Sequence, residues 1–341
     1  MPLSLPHIGA LPAGARNSIS DVAGVTVGHA TIAGGDIQTG VTVVRPHAGD
    51  PFVDKVPAAS VVLNGFGKSI GLVQVDELGV LETPIALTNT FAVGAVAQAQ
   101  IRQAVAANPQ IGRAWSTVNP LVFECNDGYL NDLQAFAVQE VHYDAAYAAA
   151  AQAFEQGAVG AGRGMSSFGV KGGIGSASRV VTLADGAQRT VGALVLSNFG
   201  VTKNLTLGGR NVGAELVSAL AAATPEPEKG SIIMLVATDA PLDARQLRRL
   251  ALRAGAGLAR TGSVFGHGSG DIALAFSTAY TVPHEGARAM PAVSMTHESH
   301  LDPLFQAAAD SVEQAIVHAL FHATAVTGRD GNTRRALTEL L

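Results

Sequence analysis

The Gly230–Ser231 step joins a polar stretch to a strongly apolar one. Residues 224–229 contain two prolines and three charged side chains, which predicts an exposed loop, because proline cannot continue a regular helix or an inner strand. Residues 232–237 are uninterrupted apolar, which is typical of a buried strand. The sequence thus places a hydroxyl side chain where a loop enters the core, and the glycine before it removes steric hindrance.

Cleavage of the bond before Ser231 would make that residue a new N-terminus that carries both a nucleophile and an amine. A free α-amine has a pKa of about 7.7–8.0 in model peptides, so near neutral pH it can take the proton of its own hydroxyl group. Such a centre needs no histidine. On this pattern alone, however, the simpler interpretation is a serine that only opens a strand after a loop, and other residues must decide.

The ten histidines form no recognisable metal-binding pattern. His297 and His300 lack the i, i+4 spacing that places two imidazoles on one zinc ion. His318 and His322 have that spacing, but no third ligand is near them in sequence, so we expect a pair on the surface of a helix. The sequence therefore predicts no metal site.

Two short motifs of other enzymes are incomplete. Residues 160–175 contain seven glycines, but Met165 stands where a dinucleotide fingerprint that opens at Gly160 needs its third glycine. A G-x-S-x-G nucleophile turn around Ser269 fails as well, because His267 and Asp271 stand two residues before and two residues after the serine, where glycines are needed. We interpret the glycine-rich stretch as a loop that must approach another backbone or a site closely.

Several polar residues remain at strand ends and in glycine turns. They are Tyr129, Asn198, Ser231, Ser269 and Asp271. Each alone has an ordinary explanation, since polar side chains beside glycines usually serve turns. They form a functional site only if the fold brings them together.

Composition bounds the class of protein. The 341 residues are 48% hydrophobic and 14% charged with a net charge of −5, which suits a compact domain with a large core and gives no reason to expect a nucleic-acid partner. The single cysteine, Cys125, excludes an internal disulfide framework. No signal peptide or membrane-spanning run is evident, so we expect a soluble, cytoplasmic protein.

Strands, glycine loops and helices alternate along the chain, which predicts an α/β or α+β class with a largely buried sheet. Strands are expected at 39–46, 59–63, 84–88, 119–124, 179–183, 193–196, 232–237 and 272–276, and helices at 93–107, from Asp144 to Gly157, at 212–222, after Pro241, and from Asp302 onward.

The chain resembles the self-processing N-terminal-serine aminopeptidases, the L-aminopeptidase/D-esterase and β-aminopeptidase group, nearly from end to end. The motifs that carry the resemblance are an opening signature over 17–29, a tyrosine turn over 127–132, the glycine loop over 160–175, Ser197-Asn198-Phe199-Gly200, Gly230-Ser231-Ile232-Ile233 and Ser269-Gly270-Asp271. They occur in the family's order.

The resemblance implies an αββα fold, in which two stacked sheets lie between helix layers. It implies one catalytic domain over 1–341 that cleaves itself into residues 1–230 and 231–341. It further implies release of N-terminal residues from short peptides, amides or esters, without a metal or organic cofactor. Family members typically assemble four such units, so we expect a homo-oligomer.

The resemblance also implies a role for each site residue. Ser231 would be the nucleophile and its freed amine the base, while Asn198 would donate to the oxyanion. Ser269 and Asp271 would position the amine, and Tyr129 would line the pocket. Glu124 would bind the ammonium group of the substrate.

Two residues depart from the family's usual pattern. Arg163 stands in the glycine loop where relatives tend to have a small hydroxyl residue, and Asp271 stands where some β-aminopeptidases have glutamate. Both concern substrate preference more than mechanism, and the sequence leaves open whether α- or β-peptides are cleaved.

Three alternatives stay open on the sequence alone. They are an endo-acting hydrolase of polyamide-like oligomers, an acyltransferase of related fold, and a ligand-binding protein that has lost catalysis. The endo-acting branch uses an N-terminal threonine, which Ser231 does not match.

Overall fold

The computed structural model describes residues 4–220 and 230–341. The strands are β1 Thr26–Gly34, β2 Ile37–Arg45, β3 Asp54–Gly65, β4 Val80–Leu81, β5 Ile85–Asn89, β6 Leu121–Cys125, β7 Ser166–Ser167, β8 Val170–Lys171, β9 Gly173–Thr182, β10 Gln188–Asn198, β11 Thr206–Leu207, β12 Arg210–Asn211, β13 Ser231–Thr238, β14 Gly270–Ser277, β15 Val282–Pro283, β16 Val326–Thr327 and β17 Thr333–Arg334. The helices are α1 Leu72–Leu78, α2 Val93–Ala107, α3 Glu140–Ala148, α4 Gly213–Leu220, α5 Ala244–Arg260 and α6 Leu301–Phe321.

Two large sheets organise these strands. The smaller has the order β1-β2-β5-β6, and the larger has the order β15-β3-β14-β13-β10-β9 with β4 also on β3. The pairs β5–β6 and β13–β14 are parallel, whereas β13 pairs with β10 and β14 with β3 in antiparallel fashion. β13 therefore lies inside the larger sheet, with β10 on one side and β14 on the other.

The apolar run in β13 is continuous because both faces of its sheet are covered. Alternate side chains of a strand point to opposite faces. Ile232, Met234 and Val236 belong to the core beneath helices α5 and α6. Ile233 and Leu235 belong to a second core, shared with β2, β5 and β6 of the other sheet. The two sheets thus stack through this second core.

Helices complete the sandwich on both outer faces. α6 packs on β9 and β10 and α5 on β3 and β14, whereas α2 and α3 pack on the smaller sheet. α6 approaches β9 so closely that a Cβ atom on Gly175 would overlap the carbonyl oxygen of Ala315. The order helix, sheet, sheet, helix confirms the predicted αββα architecture. Within residues 4–220 and 230–341, none of the helices combines the length and apolar character that crossing a membrane requires.

The local predictions succeed where the sequence has a helical spacing or a continuous apolar run. The helix expected at 93–107 is α2, and the strand expected at 232–237 lies within β13. The predicted helix at 212–222 corresponds to α4, although its last two residues and the predicted loop at 224–229 lie outside the described residues.

The helix expected from Asp144 to Gly157 is wrong. α3 is Glu140–Ala148, so Asp144 lies inside it, and Gln139 precedes its first turn. Ala151 exchanges backbone hydrogen bonds with Val27, and Gly157 with Ile174. The segment after α3 therefore joins neighbouring strands at Ala151 and Gly157, because sheet edges supply partners for these backbone groups.

The expectation of a surface histidine pair is also wrong for His318. Its side chain is buried in α6 against β9, and its Nδ1 lies 2.6 Å from the carbonyl oxygen of Ser176. His322 is half-buried and meets the ring of His318 edge to face. The i, i+4 spacing thus marks a helix face that packs on the sheet.

Burial lowers the pKa of His318 from 6.5 to about 4. A histidine whose pKa is depressed in the folded state stabilises the fold above about pH 6.5, and this contribution is lost as the pH falls toward about 4. We expect the free energy of unfolding, measured in urea at a series of pH values, to fall across this window. The slope should be shallower in His318→Gln than in the wild type and unchanged in His7→Gln, which alters an exposed histidine. Equal slopes in all three proteins would contradict the assignment.

Candidate active site

Ser231 is the first residue of β13 and is 6% exposed. Across the antiparallel pairing it lies opposite Asn198, the last residue of β10. On the other side, Ile232 pairs with Asp271 of β14. Three residues that are distant in sequence therefore meet at one end of three adjacent strands.

A close backbone contact orients the hydroxyl group of Ser231. Its Oγ accepts a hydrogen bond from the Gly270 amide at 3.0 Å. A Cβ atom on Gly270 would stand 3.1 Å from that Oγ and 2.8 Å from the carbonyl oxygen of Phe66. Glycine at this position therefore lets the β14 backbone reach the hydroxyl group without displacing it.

Gly230 meets the same kind of constraint before the serine. A Cβ atom there would overlap the carbonyl oxygen of Asn198. The chain can therefore approach β10 at this step only with glycine, which gives the Gly-Ser pattern a steric reason.

The side-chain amide of Asn198 is held at both ends. Its Oδ1 accepts the Ser166 amide proton at 2.8 Å, and its Nδ2 donates to the carbonyl oxygen of Asn126 at 3.0 Å. Ser166 belongs to the glycine loop and Asn126 to the turn before Tyr129. With Oδ1 and one N–H engaged, the second N–H of the amide is available to a ligand.

Ser269 and Asp271 form a buried pair beside the nucleophile candidate. The Ser269 hydroxyl group donates to Asp271 Oδ1 at 2.5 Å, and both residues are fully buried. Asn64, at the end of β3, holds their loop by donating from Nδ2 to the carbonyl oxygens of Gly266, His267 and Ser269. Sequence reasoning missed Asn64, because its partners lie some two hundred residues away in the chain.

Glu124, the predicted ammonium site, is connected to this region through the backbone around Gly67. Its Oε1 accepts the Lys68 amide proton at 2.8 Å, and its Oε2 accepts the Thr90 hydroxyl proton. A Cβ atom on Gly67 would stand 3.5 Å from Glu124 Oε1 and 3.8 Å from the Cα of Gly270. A carboxylate has about four lone-pair positions, so both oxygens can accept further donors.

Tyr129 is connected to the site through Arg334 and Ser166. The guanidinium carbon of Arg334 lies 3.7 Å from the centre of its ring, and Arg334 Nε donates to the Ser166 hydroxyl group at 3.3 Å. The carbonyl oxygen of Tyr129 accepts a hydrogen bond from the side-chain amide of Asn332. Arg334 was not singled out by sequence reasoning, since one arginine in a polar C-terminal stretch carries no distinguishing pattern.

Lys171 is a buried residue of the site region that sequence reasoning also missed. It is fully buried, and its Nζ donates to the carbonyl oxygens of Gly162, Met165 and Gly172 at 2.6–2.9 Å. Burial lowers the pKa of its amine well below the ordinary value. These three bonds fix the glycine loop from which Ser166 contacts Asn198.

Arg163, the departure in the glycine loop, bonds away from the nucleophile candidate. Its Nε donates to Gln38 Oε1 at 2.7 Å, and partial burial lowers the pKa of its guanidinium group. Nearby, burial raises the pKa of Asp127 to about 7. Burial thus favours the neutral form of Asp127, whereas the partly exposed guanidinium group of Arg163 keeps its charge.

Cys125 supports the nucleophile candidate from the other sheet. Its Sγ lies 3.4 Å from the carbonyl oxygen of Ser231 and 3.7 Å from that of Leu196. Burial, together with the carboxylates of Glu124 and Asp271, raises the pKa of the thiol well above its ordinary value. The thiol is therefore a neutral donor and not a thiolate nucleophile.

Two cavities elsewhere in the molecule have no part in this arrangement. One of 450 Å³ lies between the N-terminal segment and α6, and one of 260 Å³ lies beside α2. Among the residues described, no group of three or more His, Cys, Asp or Glu side chains is arranged to hold a metal ion. The chemistry of the strand ends is that of a hydroxyl group with amide donors and carboxylates around it.

Comparison with known proteins identifies the family. The model of peptidase family S58 matches residues 17–334. The β-peptidyl aminopeptidase BapA of Sphingosinicella xenopeptidilytica is 38% identical over 336 residues, which cover 92% of this chain and 83% of that protein.

Two solved structures share the fold along nearly the whole chain. The PH0078 protein from Pyrococcus horikoshii OT3 has a TM-score of 0.92 at 46% identity, covering 97% of this chain and 94% of that one. The L-aminopeptidase D-Ala-esterase/amidase of Ochrobactrum anthropi, described as a variant of the Ntn (N-terminal nucleophile) hydrolase fold, has a TM-score of 0.88 at 36% identity, covering 98% and 94%. Family, relatives and fold agree on a serine-type aminopeptidase of the Ntn-hydrolase type, and this chain belongs to peptidase family S58.

Proposed function

We propose that Ser231 is the nucleophile of this aminopeptidase and that the catalytic domain, residues 1–341, cleaves itself at Gly230–Ser231 to expose it. The carrying observation is the meeting of Ser231, Asn198 and the Ser269–Asp271 pair at the ends of three adjacent strands. The products are an α chain of residues 1–230 and a β chain of residues 231–341.

Self-cleavage begins with the hydroxyl group of Ser231. Its Oγ attacks the carbonyl carbon of Gly230, a C–O bond forms, and the C–N bond breaks as the nitrogen takes the hydroxyl proton. Water then hydrolyses the ester and leaves a carboxylate on Gly230 and a free amine on Ser231. The Gly270 amide, 3.0 Å from the Oγ, orients the attacking oxygen.

The same groups then serve the aminopeptidase reaction. The freed amine of Ser231 takes the proton of its own hydroxyl group as the Oγ attacks the substrate carbonyl. The second N–H of Asn198 donates to the oxyanion, a contribution of about 2.7–4 kcal/mol where one such donor has been removed in other enzymes. Ser269 and Asp271 position the amine, and Tyr129 lines the pocket.

Substrates are short peptides, amides or esters with a free N-terminal amine. Glu124, 3% exposed and beside Gly67, is the carboxylate that binds the substrate's ammonium group. Anchoring the ammonium group next to the nucleophile restricts cleavage to the first residue, which makes the enzyme an exopeptidase. No metal or organic cofactor is needed in this scheme.

The first prediction concerns the nucleophile itself. Ser231→Ala should remain one intact chain and hydrolyse no aminoacyl p-nitroanilide, because it lacks the attacking oxygen for both reactions. The wild type should yield a fragment of residues 231–341, and mass spectrometry after prolonged incubation distinguishes the two. Ser263→Ala, which changes an equally buried serine outside the site at 6% exposure, should cleave normally. An intact, active wild-type chain would disprove the scheme.

The second prediction concerns the oxyanion donor. Asn198→Asp keeps the acceptor for the Ser166 amide but removes the N–H groups, so kcat should fall by about 10²–10³ with little change in KM. Self-cleavage, followed by gel electrophoresis, should slow as well.

Asn211→Asp is the matched control, because Asn211 Oδ1 likewise accepts a backbone amide proton, from Gly213, and lies on the surface. It should leave kcat and the rate of self-cleavage unchanged. An Asn198→Asp enzyme with normal kcat would exclude an oxyanion role.

We also propose that αβ units assemble into a homo-oligomer, with the tetramer implied by the resemblance as the expected form. Light scattering of the purified enzyme should then give a mass about four times the 34.7 kDa of one chain. A mass of one chain, independent of concentration, would contradict this.

A further inference from the structure

Arg334 places a positive charge beside the proposed catalytic centre. Its guanidinium group is half-buried, stacks 3.7 Å from the centre of the Tyr129 ring and donates from Nε to the Ser166 hydroxyl group. Stacking on the ring and the Nε bond together fix the plane of the guanidinium group. The structure therefore holds this cation in one orientation.

No carboxylate of the protein is paired with this cation within the described part of the chain. The salt bridges found there engage other arginines, such as Arg335 with Glu339 and Arg260 with Asp310, but not Arg334. The hydrogen bonds found there leave its Nη1 and Nη2 unused. A fixed guanidinium group with two unused nitrogens matches the geometry of an incoming carboxylate.

The position of Arg334 relative to the nucleophile follows from the contacts between them. Arg334 bonds to Ser166, and the Ser166 amide bonds to Asn198 at the end of β10. Arg334 therefore lies on the β10 side of Ser231.

Glu124 lies on the opposite side. Its carboxylate adjoins Gly67, and Gly67 in turn approaches Gly270 at the start of β14. Since β13 runs between β10 and β14, Ser231 stands between a carboxylate and a guanidinium group. This order matches a short peptide, whose ammonium and carboxylate groups lie on opposite sides of the bond that is cleaved.

We propose that Arg334 binds the carboxylate of the leaving group, so that the enzyme selects dipeptides with a free C-terminus over the same dipeptides as C-terminal amides. The inference rests on the proposed function, since it takes Ser231 as the nucleophile and Glu124 as the ammonium site. A longer leaving group carries its carboxylate beyond the reach of Arg334, and an amide offers it no charge.

The test compares free dipeptides with their C-terminal amides, both with the same N-terminal residue. The wild type should have a higher kcat/KM for the free acid, mainly through KM. In Arg334→Gln the ratio of the two kcat/KM values should fall by about 10- to 100-fold, the loss expected for hydrogen bonds between charged groups. Arg334→Lys should restore part of the ratio, because it keeps the charge but not the fork.

Arg335→Gln is the matched control, because Arg335 is the exposed neighbour that pairs with Glu339. It should leave the ratio at its wild-type value. Equal kcat/KM for acid and amide in the wild type would overturn the carboxylate assignment, as would an unchanged ratio in Arg334→Gln.

A purely structural role for Arg334 would lower both rates together, and this outcome also overturns the inference. If Arg334→Gln fails to self-cleave, the inference is tested by the acid-to-amide ratio of kcat/KM in the wild type and by the fall of that ratio in Arg334→Lys. Absence of hydrolysis of acid, amide and aminoacyl p-nitroanilide by self-cleaved wild type would instead contradict the proposed function.

Discussion

The site depends on how closely β10 and β13 approach each other at one end. Asn198 and Ser231 are opposite residues there, and the carbonyl oxygen of Asn198 occupies the space that a Cβ atom on Gly230 would need. The register of this pairing is fixed by burial, because a shift of one residue would exchange the two cores that β13 fills. Core packing thus determines which side chain lies opposite the serine.

Polar groups at buried strand ends are costly unless they have partners, and this explains the elements around the strands. Lys171 holds the glycine loop by donating to three of its carbonyl oxygens. The loop donates a backbone amide proton to the side-chain oxygen of Asn198, and a carbonyl oxygen in the turn before Tyr129 accepts a proton from the side-chain nitrogen of Asn198. The loop and the turn therefore share one physical task. They orient a single side-chain amide in a place where water cannot do so.

The sequence was sufficient for features with local causes. The continuous apolar run predicted β13, and the helical spacing of polar residues predicted α2. The motifs around Ser231 and Asn198 gave candidate site residues only through the resemblance, and the fold places these two residues opposite each other. Asn64, Lys171 and Arg334 could not be found in this way, because their roles come from contacts with distant backbone groups or rings. The misplaced end of α3 has the same origin, since the backbone groups of Ala151 and Gly157 pair with strand edges instead of continuing the helix.

Cleavage before Ser231 would leave the active site divided between two chains, and the fold provides for this. β13 and β14 lie in the interior of the larger sheet, between β3 and β10, and α5 and α6 cover it, so these four elements hold residues 231–341 in the fold by hydrogen bonds and core contacts. Glu124 and Asn198 would then belong to one chain and Ser231 and Arg334 to the other. A cut at the start of an inner strand would free an amine without freeing the strand, so the proposed cleavage is compatible with the geometry around Ser231.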